Sequence, residues 1–436
     1  MLMPVLTPMP ATVPLMTTAA VDQPQTGRQD SDTTDGGAAR RTRRDRSGSR
    51  RPVAFLRCAG RSRGSEHDYA SKAAVARAIA ALLDVDYLGE VDAEQVDPGW
   101  IAQRPYWVPS HTLEPRDAPA ALGIAGPQDC FGGWVPHGFI GSKLISHALV
   151  SPDAQAPEGW SSEFGNAARE LVLPGRSVFT PADARRAADE LFPLGSIRVK
   201  EPDGVGGSGQ IVVDDADGLA RCLDRLGAER LRREGLVLEQ NLRDDVTTCS
   251  VGQVRVGPWL ASYHGTQCNT RNGRGHEVYG GSTLSVTLGG FDTLVASGLD
   301  DTVRVAVEQA VAFHAGVQRC YPGMHASRCN YDVIQGRDAN GVWRSGVLEQ
   351  SWRVGGASGA EIAALQAFAD DDRVGAVRAS TCERYGTAGD AVPEGAQIRF
   401  DGVDQHGDRL VKFVQVESRA APRHAQKEAM PEHVHD

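Results

Sequence analysis

The sequence predicts a chain of mixed α/β and α+β class, with a small N-terminal α/β domain ahead of a larger part made of antiparallel hairpins and helices. Three observations carry this expectation. An apolar run, an amphipathic helix and a second apolar run open the folded part in strand–helix–strand order. Several later strand pairs are joined by short glycine-bearing turns, as antiparallel neighbours are. At 436 residues the chain is long enough for two to four domains.

Taken in order, PVAFLRC (52–58) reads as a buried strand and SEHDYASKAAVARAIAALL places a helix over 66–83, with apolar residues three and four apart. VDYLGEV (85–91) is the next strand, and PYWVPS (105–110) a further one in a Pro- and Gly-rich stretch. GSKLISHALV (141–150) reads as the start of a helix. PADARRAADEL (181–191) is a helix with proline in its first turn. SIRVK (196–200) and QIVVDD (210–215) form a hairpin, ADGLARCLDRLGAERLRRE is helical, and LVLEQNL (236–242) is a buried strand. SVGQVRVGPWLASYHGTQ gives two antiparallel strands, followed by a glycine-rich loop, NGRGHEVYGG. DTVRVAVEQAVAFHAGVQ (301–318) is a helix, the segment from Asn330 to Trp352 a hairpin, GAEIAALQAFA a helix, and AQIRFDGVDQHGDRLVKFVQV a late hairpin.

Composition narrows the function. Apolar residues are 41% and charged residues 23%, which suits a globular chain, and the net charge of −10 argues against non-specific nucleic-acid binding. No run of about 18 apolar residues could span a membrane. Residues 1–51 hold eight Arg and five Asp, a net of +3, with no apolar period, so a disordered Arg-rich tail is expected there and a polar tail over 421–436. The eight Cys form no CxxC pair, which reads as reduced thiols in the cytoplasm. Lysine is rare: Lys72, Lys143, Lys200, Lys412 and Lys427 are the only five, so a lysine at a chosen position is about a one-in-ninety event.

GVGGSG (Gly204–Gly209) fits the pattern of a dinucleotide fingerprint. That motif needs a helix after the turn, and here a strand follows, so the fingerprint is rejected. A glycine loop between antiparallel strands can instead fold over phosphates with its backbone N–H groups, within reach of Lys200; a flexible turn beside a surface lysine is the plainer alternative.

The hairpin at 328–353 carries a stronger signal. Asn340-Gly341 is a favoured two-residue turn, and with those residues as the loop, paired positions sum to 681. Asp332 then opposes Glu349, Asn330 opposes Ser351, and Arg328 opposes Arg353, all on one face. Two directly opposed acids repel and invite a cation, and oxygen ligands suit Mg²⁺. The flanking arginines could neutralise the acids instead, and a bulge would shift the register.

Lys143, Lys200 with GVGGSG, LVLEQNL and NYD…LEQSWR follow the order of an ATP-grasp domain, and the resemblance covers roughly residues 138–365. The stretch before it, 52–137, looks like the Rossmann-like domain that precedes this fold. LEQNL, SVGQVRVG, GTQ, EVYGGS, GGFD, NYDV and VLEQSWR are similar to an uncharacterised bacterial family of ATP-grasp-like proteins. The resemblance implies a lid subdomain at about 178–242 and a C-terminal β-hairpin extension at 366–420.

It also implies ATP and Mg²⁺ as cofactors and assigns residues. Lys143 and Lys200 resemble the two ATP lysines, with Gly204, Gly206, Gly207, Ser208 and Gly209 over the phosphates. Glu239 resembles the hinge acid beside the adenine, with the backbone of Gln240 and Leu242 bonding the base. Asp332 and Glu349 resemble the magnesium carboxylates. Ser351 stands where the family's E-x-N-x-R motif has Asn, and Asn330, its cross-strand neighbour, is a candidate for the missing amide. Lys200 and Arg353 would stabilise the transferring phosphoryl group. The implied activity is ATP-dependent ligation of a carboxylate to an amine or related nucleophile through an acyl phosphate. Phosphorylation of a hydroxyl and a non-catalytic nucleotide-binding role are the alternatives. Apart from the resemblance, Arg271, Arg274 and His276 on the glycine-rich loop are candidates for gripping an anionic small-molecule substrate, with a solvated loop as the equal alternative.

Overall fold

Three parallel strands open the described chain. In the computed structural model, which describes residues 51–58, 64–204, 209–386 and 392–421, β1 (Val53–Arg57) lies between β2 (Tyr87–Asp92) and β3 (Tyr106–Pro109). The connection from β1 to β2 is α1 (Glu66–Leu83), started by Ser65, whose hydroxyl accepts from the Asp68 N–H. The short α2 (Pro98–Ala102) precedes β3. Residues 1–50 and 422–436, expected as tails, lie outside the described residues, as do Gly206, Gly207 and Ser208. Arg51, counted with the tail on composition, is part of the body: it donates to Asp129 Oδ1 at 2.5 Å and to the Arg104 and Pro105 carbonyls.

After β4 (Gly133–Trp134) the expected helix at 141–150 is absent, and two 3₁₀ turns, Gly138–Gly141 and Lys143–Ser146, stand in its place. Side chains take the carbonyls that an α-helix would use. Gln350 Nε2 donates to the Ile140 and Ser142 oxygens at 2.8 and 2.6 Å, and Ser177 Oγ to Leu144 O at 2.5 Å. Next comes α3 (Ser162–Ala167).

A four-stranded antiparallel sheet follows. It is built from β5 (Gly175–Val178), β6 (Ile197–Lys200), β7 (Gln210–Val213) and β8 (Leu236–Gln240) in the order β5-β8-β6-β7. The helices α4 (Pro181–Leu191), α5 (Ala216–Leu226) and α6 (Ala228–Glu234) cover it. The single helix expected over 216–234 is broken at Gly227, whose φ of +80° ends α5.

The large sheet is antiparallel, ordered β14-β13-β9-β10-β11-β15-β17-β16. It comprises β9 (Asp244–Val256), β10 (Trp259–Arg271), β11 (Glu277–Leu288), β13 (Arg328–Arg337), β14 (Trp343–Ser351), β15 (Ala376–Tyr385), β16 (Gln397–Val403) and β17 (Arg409–Ala420). Half of the expected glycine-rich loop after β10 is strand β11. The segment expected as a terminal hairpin supplies three strands, since β15 was not legible. Between β11 and β13 run α7 (Phe291–Val295), α8 (Asp301–Cys320) and the two-residue β12 (His325–Ala326).

One face of this sheet packs on α8, with Val251, Tyr331, Val333 and Phe313 buried together. The other packs on α9 (Ser358–Asp370) and α1, with Val254, Tyr263, Ile362 and Phe368. Each such side chain contributes about 1.5–3 kcal/mol by leaving water. The core on this second side ties the N-terminal unit to the sheet edge that carries the candidate site. No helix among the described residues is long and apolar enough to cross a membrane, and all eight cysteines are free.

Candidate active site

The hairpin β13–β14 pairs Asp332 with Glu349 and Asn330 with Ser351, as expected, but by a different route. The turn is not the two-residue loop: Arg337 pairs with Trp343, and the Asp338 N–H donates to the Val342 oxygen at 2.9 Å. Three residues lie between, with Gly341 at φ +75°. This sets the pairing sum to 680 along most of the hairpin. A bulge between Asp332 and Val333, facing Leu348, adds the missing residue and restores 681 at the acids.

The two acids differ in surroundings. Asp332 Oδ1 accepts from Ser250 Oγ at 3.2 Å and Gln267 Nε2 at 2.8 Å, and lies 2.9 Å from the Asn330 amide. Its Oδ2 has no partner among the described residues. Burial, together with the Glu349 charge, raises the Asp332 carboxyl above the ordinary range. Glu349 is half-exposed and pairs with Lys143 Nζ at 2.8 Å. Neither arginine makes a salt bridge to the two acids, although Arg328 Nη1 donates to the Ser351 oxygen and hydroxyl at 3.1 and 3.3 Å. Arg328 turns away to Glu361 (Nη2–Oε1 2.6 Å), both buried, and Arg353 donates to the Val354 carbonyl at 3.1 Å. Among the described residues no group of three His, Cys, Asp or Glu could hold a metal ion. The donor set is therefore two carboxylates with neighbouring Ser351 and Asn330. That set of hard oxygens, with one acid oxygen unpartnered, fits a magnesium ion that keeps water or phosphate oxygens.

Lys143 is placed by β14. Gln350 and Ser146, whose hydroxyl donates to Leu348 O at 3.2 Å, fasten the 138–146 turns to that strand, so Lys143 meets Glu349 and also donates to the Gly204 carbonyl. Lys143, Gly204, Glu349, Ser351 and Arg353 thus line one cleft of about 720 Å³.

Lys200, at the end of β6, does not line it. Its Nζ meets Glu239 Oε1 on β8 at 2.6 Å, and Glu239 Oε2 meets His147 Nε2 at 3.0 Å, all three side chains buried. Burial pushes the Glu239 carboxyl up, but Lys200 and His147 outweigh it and bring it down to about 2. The Gln240 N–H donates to the Pro174 carbonyl at 2.8 Å, and Leu242 is buried behind it. Gly209 closes the glycine loop, its N–H-bearing neighbourhood tied by Glu201 N–H donating to the Gly209 oxygen at 2.8 Å. Arg271 at the end of β10 and Arg274 and His276 on the β10–β11 turn are exposed and do not line the cleft.

Sequence reasoning missed the wall contributed by the N-terminal unit. Asp68 and Lys72, paired at 2.8 Å on α1, line the same cleft as Glu349, with His111 and Arg116 beyond β3. Lys72 had a signal: it is another of the five lysines. His147 had none, since its role depends on the extended chain after Ser146. Cys58 also lines the cleft, but burial pushes its thiol up to about 12, which makes it a poor nucleophile.

The fold has solved counterparts. N5-carboxyaminoimidazole synthetase from Staphylococcus aureus, solved with ADP, aligns over 84% of this chain and 93% of its own, at 12% identity and a TM-score of 0.50. The enzyme of the same kind from Aspergillus clavatus, solved with ADP and 5-aminoimidazole ribonucleotide, aligns over 86% and 95% at 12% identity and 0.49. Phosphoribosylamine–glycine ligase from Thermotoga maritima aligns over 85% and 98% at 13% identity and 0.46. The fold is that of the ATP-grasp proteins. No curated protein matches the chain. Residues 55–414 match the family described as "Protein of unknown function (DUF3182)", and the chain belongs to that family.

Proposed function

We propose that the protein is an ATP- and Mg²⁺-dependent ligase that joins a carboxylate to an amine or related nucleophile. The observation that carries this reading is the meeting of Lys143 with the glycine-loop carbonyl of Gly204 and with Glu349 in one cleft, Glu349 being paired across the hairpin with Asp332, in an ATP-grasp fold. ATP with Mg²⁺ would supply the phosphoryl group that turns a carboxylate into an acyl phosphate, which the nucleophile then attacks.

The chain's own groups bind and position. Asp332 and Glu349, with Asn330 and Ser351, would hold the metal. Lys143 would exchange Glu349 for phosphate, and Gly204, Gly206, Gly207, Ser208 and Gly209 would close over the nucleotide. Lys200, buried against Glu239, would meet phosphate only by exchanging that carboxylate for it. Glu239 and Gln240 at the end of β8, with Leu242 just beyond it, would lie against the base. Arg353, which lines the cleft near the charges of Asp68 and Glu349 but makes no salt bridge among the described residues, would stabilise charge on the transferring group. The eight free thiols suit the reducing cytoplasm.

An ADP-release screen with Mg–ATP and pooled small metabolites tests the reading. Stimulation that requires both a carboxylate and an amine supports it. Stimulation by a hydroxyl compound alone assigns a kinase, and ATP binding with no release under any pool assigns a non-catalytic role.

A further inference from the structure

We infer that the cleft continues into an oxyanion pocket, walled by Arg399 and Lys412 of the β16–β17 hairpin and Lys72 of α1, which holds a carboxylate or phosphate that the substrate carries away from its reacting end. The inference rests on the ligase reading above and adds a chemical class to its substrate.

The pocket lies between α1, the start of α9 and the strands β15, β16 and β17. Asp68 and Lys72 line both it and the cleft, so the two spaces meet at α1. Its volume is about 60 Å³. A single water takes roughly 10–15 Å³ of such space, so there is room for a head group of a few oxygens and not for a sugar or a nucleobase.

The charges in its wall do not balance. Lys72, Arg399 and Lys412 stand against Asp68 and Glu383. Both lysines are buried and paired: Lys72 Nζ lies 2.8 Å from Asp68 Oδ2, and Lys412 Nζ 2.9 Å from Glu383 Oε1. Burial pushes the Asp68 carboxyl up, but Lys72 and Lys412 outweigh it and hold the acid below its ordinary range. Asp68 is thus ionised and already engaged by two cations.

Arg399 is the cation left over. It is the extra residue of a bulge, since Ile398 pairs with Phe413 and Phe400 with Lys412. Bulges re-aim side chains, and this one brings Arg399 into the pocket wall with Lys412. Arg399 Nη2 donates to the neutral amide oxygen Gln397 Oε1 at 2.8 Å, and its Nε is buried with no partner among the described residues. Burial alone acts on the guanidinium and lowers its pKa, with no acid to oppose it. A guanidinium taken out of water calls for an anion, and its planar fork matches a carboxylate or a phosphate. Lys412 keeps ammonium donors beyond the one given to Glu383 and can share that anion. Arg353, next to Val354 and Gly355 of the pocket wall, senses both Asp68 and Glu349. A substrate reaching past it would have its reacting carboxylate near Glu349 and its second anionic group at Arg399.

The test is calorimetric titration of inorganic phosphate, and separately of acetate, into the full chain for wild type, Arg399→Gln and Arg399→Lys, each repeated with saturating Mg–ADP. Wild type should bind the anion at one site, and Mg–ADP should leave that affinity unchanged. Arg399→Gln should bind roughly ten- to a hundredfold more weakly, and Arg399→Lys, which keeps the charge, should lose less than about tenfold. Phosphate held more tightly than acetate assigns a phosphorylated substrate, and the reverse a dicarboxylate. Wild-type affinity in a folded Arg399→Gln, no anion binding by wild type, or displacement of the anion by Mg–ADP would overturn the pocket. If Arg399→Gln does not fold, modification of Arg399 by phenylglyoxal in wild type decides: phosphate should slow it, and an unchanged rate would overturn the assignment. A wild type that binds phosphate but no Mg–ADP would keep the pocket and remove the nucleotide reading. In the ADP-release screen, stimulation only by compounds with no anionic group beyond the reacting carboxylate would detach the pocket from the substrate.

Discussion

Replacing Lys200 by Met leaves Glu239 buried with only His147 to oppose its charge. In the intact protein the carboxyl falls from an ordinary 4.5 to about 2. At 1.36 kcal/mol per pH unit, that drop stabilises the folded state by about 3 kcal/mol at neutral pH. The sign follows from the depressed value: the contribution is complete above the unfolded pKa and fades as the pH falls from 4.5 through about 2. In Lys200→Met, burial is opposed only by His147, so the Glu239 pKa rises and the ionised carboxylate becomes a cost. The loss at pH 7 should be about 3–5 kcal/mol, the range for breaking a buried ion pair from one side. Urea unfolding at pH 7 and pH 4 measures it. The gap between variant and wild type should narrow on acidification, because a protonated Glu239 no longer needs its lysine. Adding Glu239→Gln to the variant should recover part of the loss. Equal stability at pH 7, or a gap that does not shrink at pH 4, would refute the idea that Lys200 and Glu239 form a charged buried pair.

Other consequences are open to measurement. Glu349→Gln should lower the Asp332 pKa, since the neighbouring charge helps to raise it; carboxyl titration by NMR would show no change if the two acids do not sense each other. Gly252→Ala should destabilise by about 1–3 kcal/mol in chemical denaturation, because the added methyl meets Tyr263 Oη and the Cys329 carbonyl. A wild-type-like midpoint would mean that Tyr263 has room to move. A chain beginning at Arg50 should melt like the full chain, whereas one beginning at Pro52 should melt lower, having lost the Arg51–Asp129 contact; identical melting of the two would demote that contact to a surface ion pair.

Much of this site is legible in the sequence where the argument is local. The helix at 66–83 is fixed by its apolar spacing and by Ser65, and the structure places it over the same residues. The Asp332–Glu349 pairing is foreseen, yet for an incomplete reason. A three-residue turn and a bulge each move the register by one, and they cancel only at the acids. Nothing local in Leu348 announces that bulge. The failed helix at 141–150 depends on Gln350, some two hundred residues away, claiming its carbonyls. His147, Tyr263 and Glu361 are likewise defined by partners distant in the chain. β15 carries Arg378, Glu383 and Arg384 among its apolar positions, and its burial comes from α9 rather than from a clean alternation.

Calorimetric titration of Mg–ATP into the full-length protein tests the central claim most directly. The account predicts one saturable site whose affinity falls sharply when Mg²⁺ is chelated, because Asp332 and Glu349 engage the nucleotide through the metal. The same titration of folded Lys143→Met should show binding weaker by about ten- to a hundredfold, as expected when a charged hydrogen-bond donor to phosphate is lost. No binding heat for the wild-type protein at millimolar Mg–ATP, or binding indifferent to both Mg²⁺ and Lys143, would contradict the account.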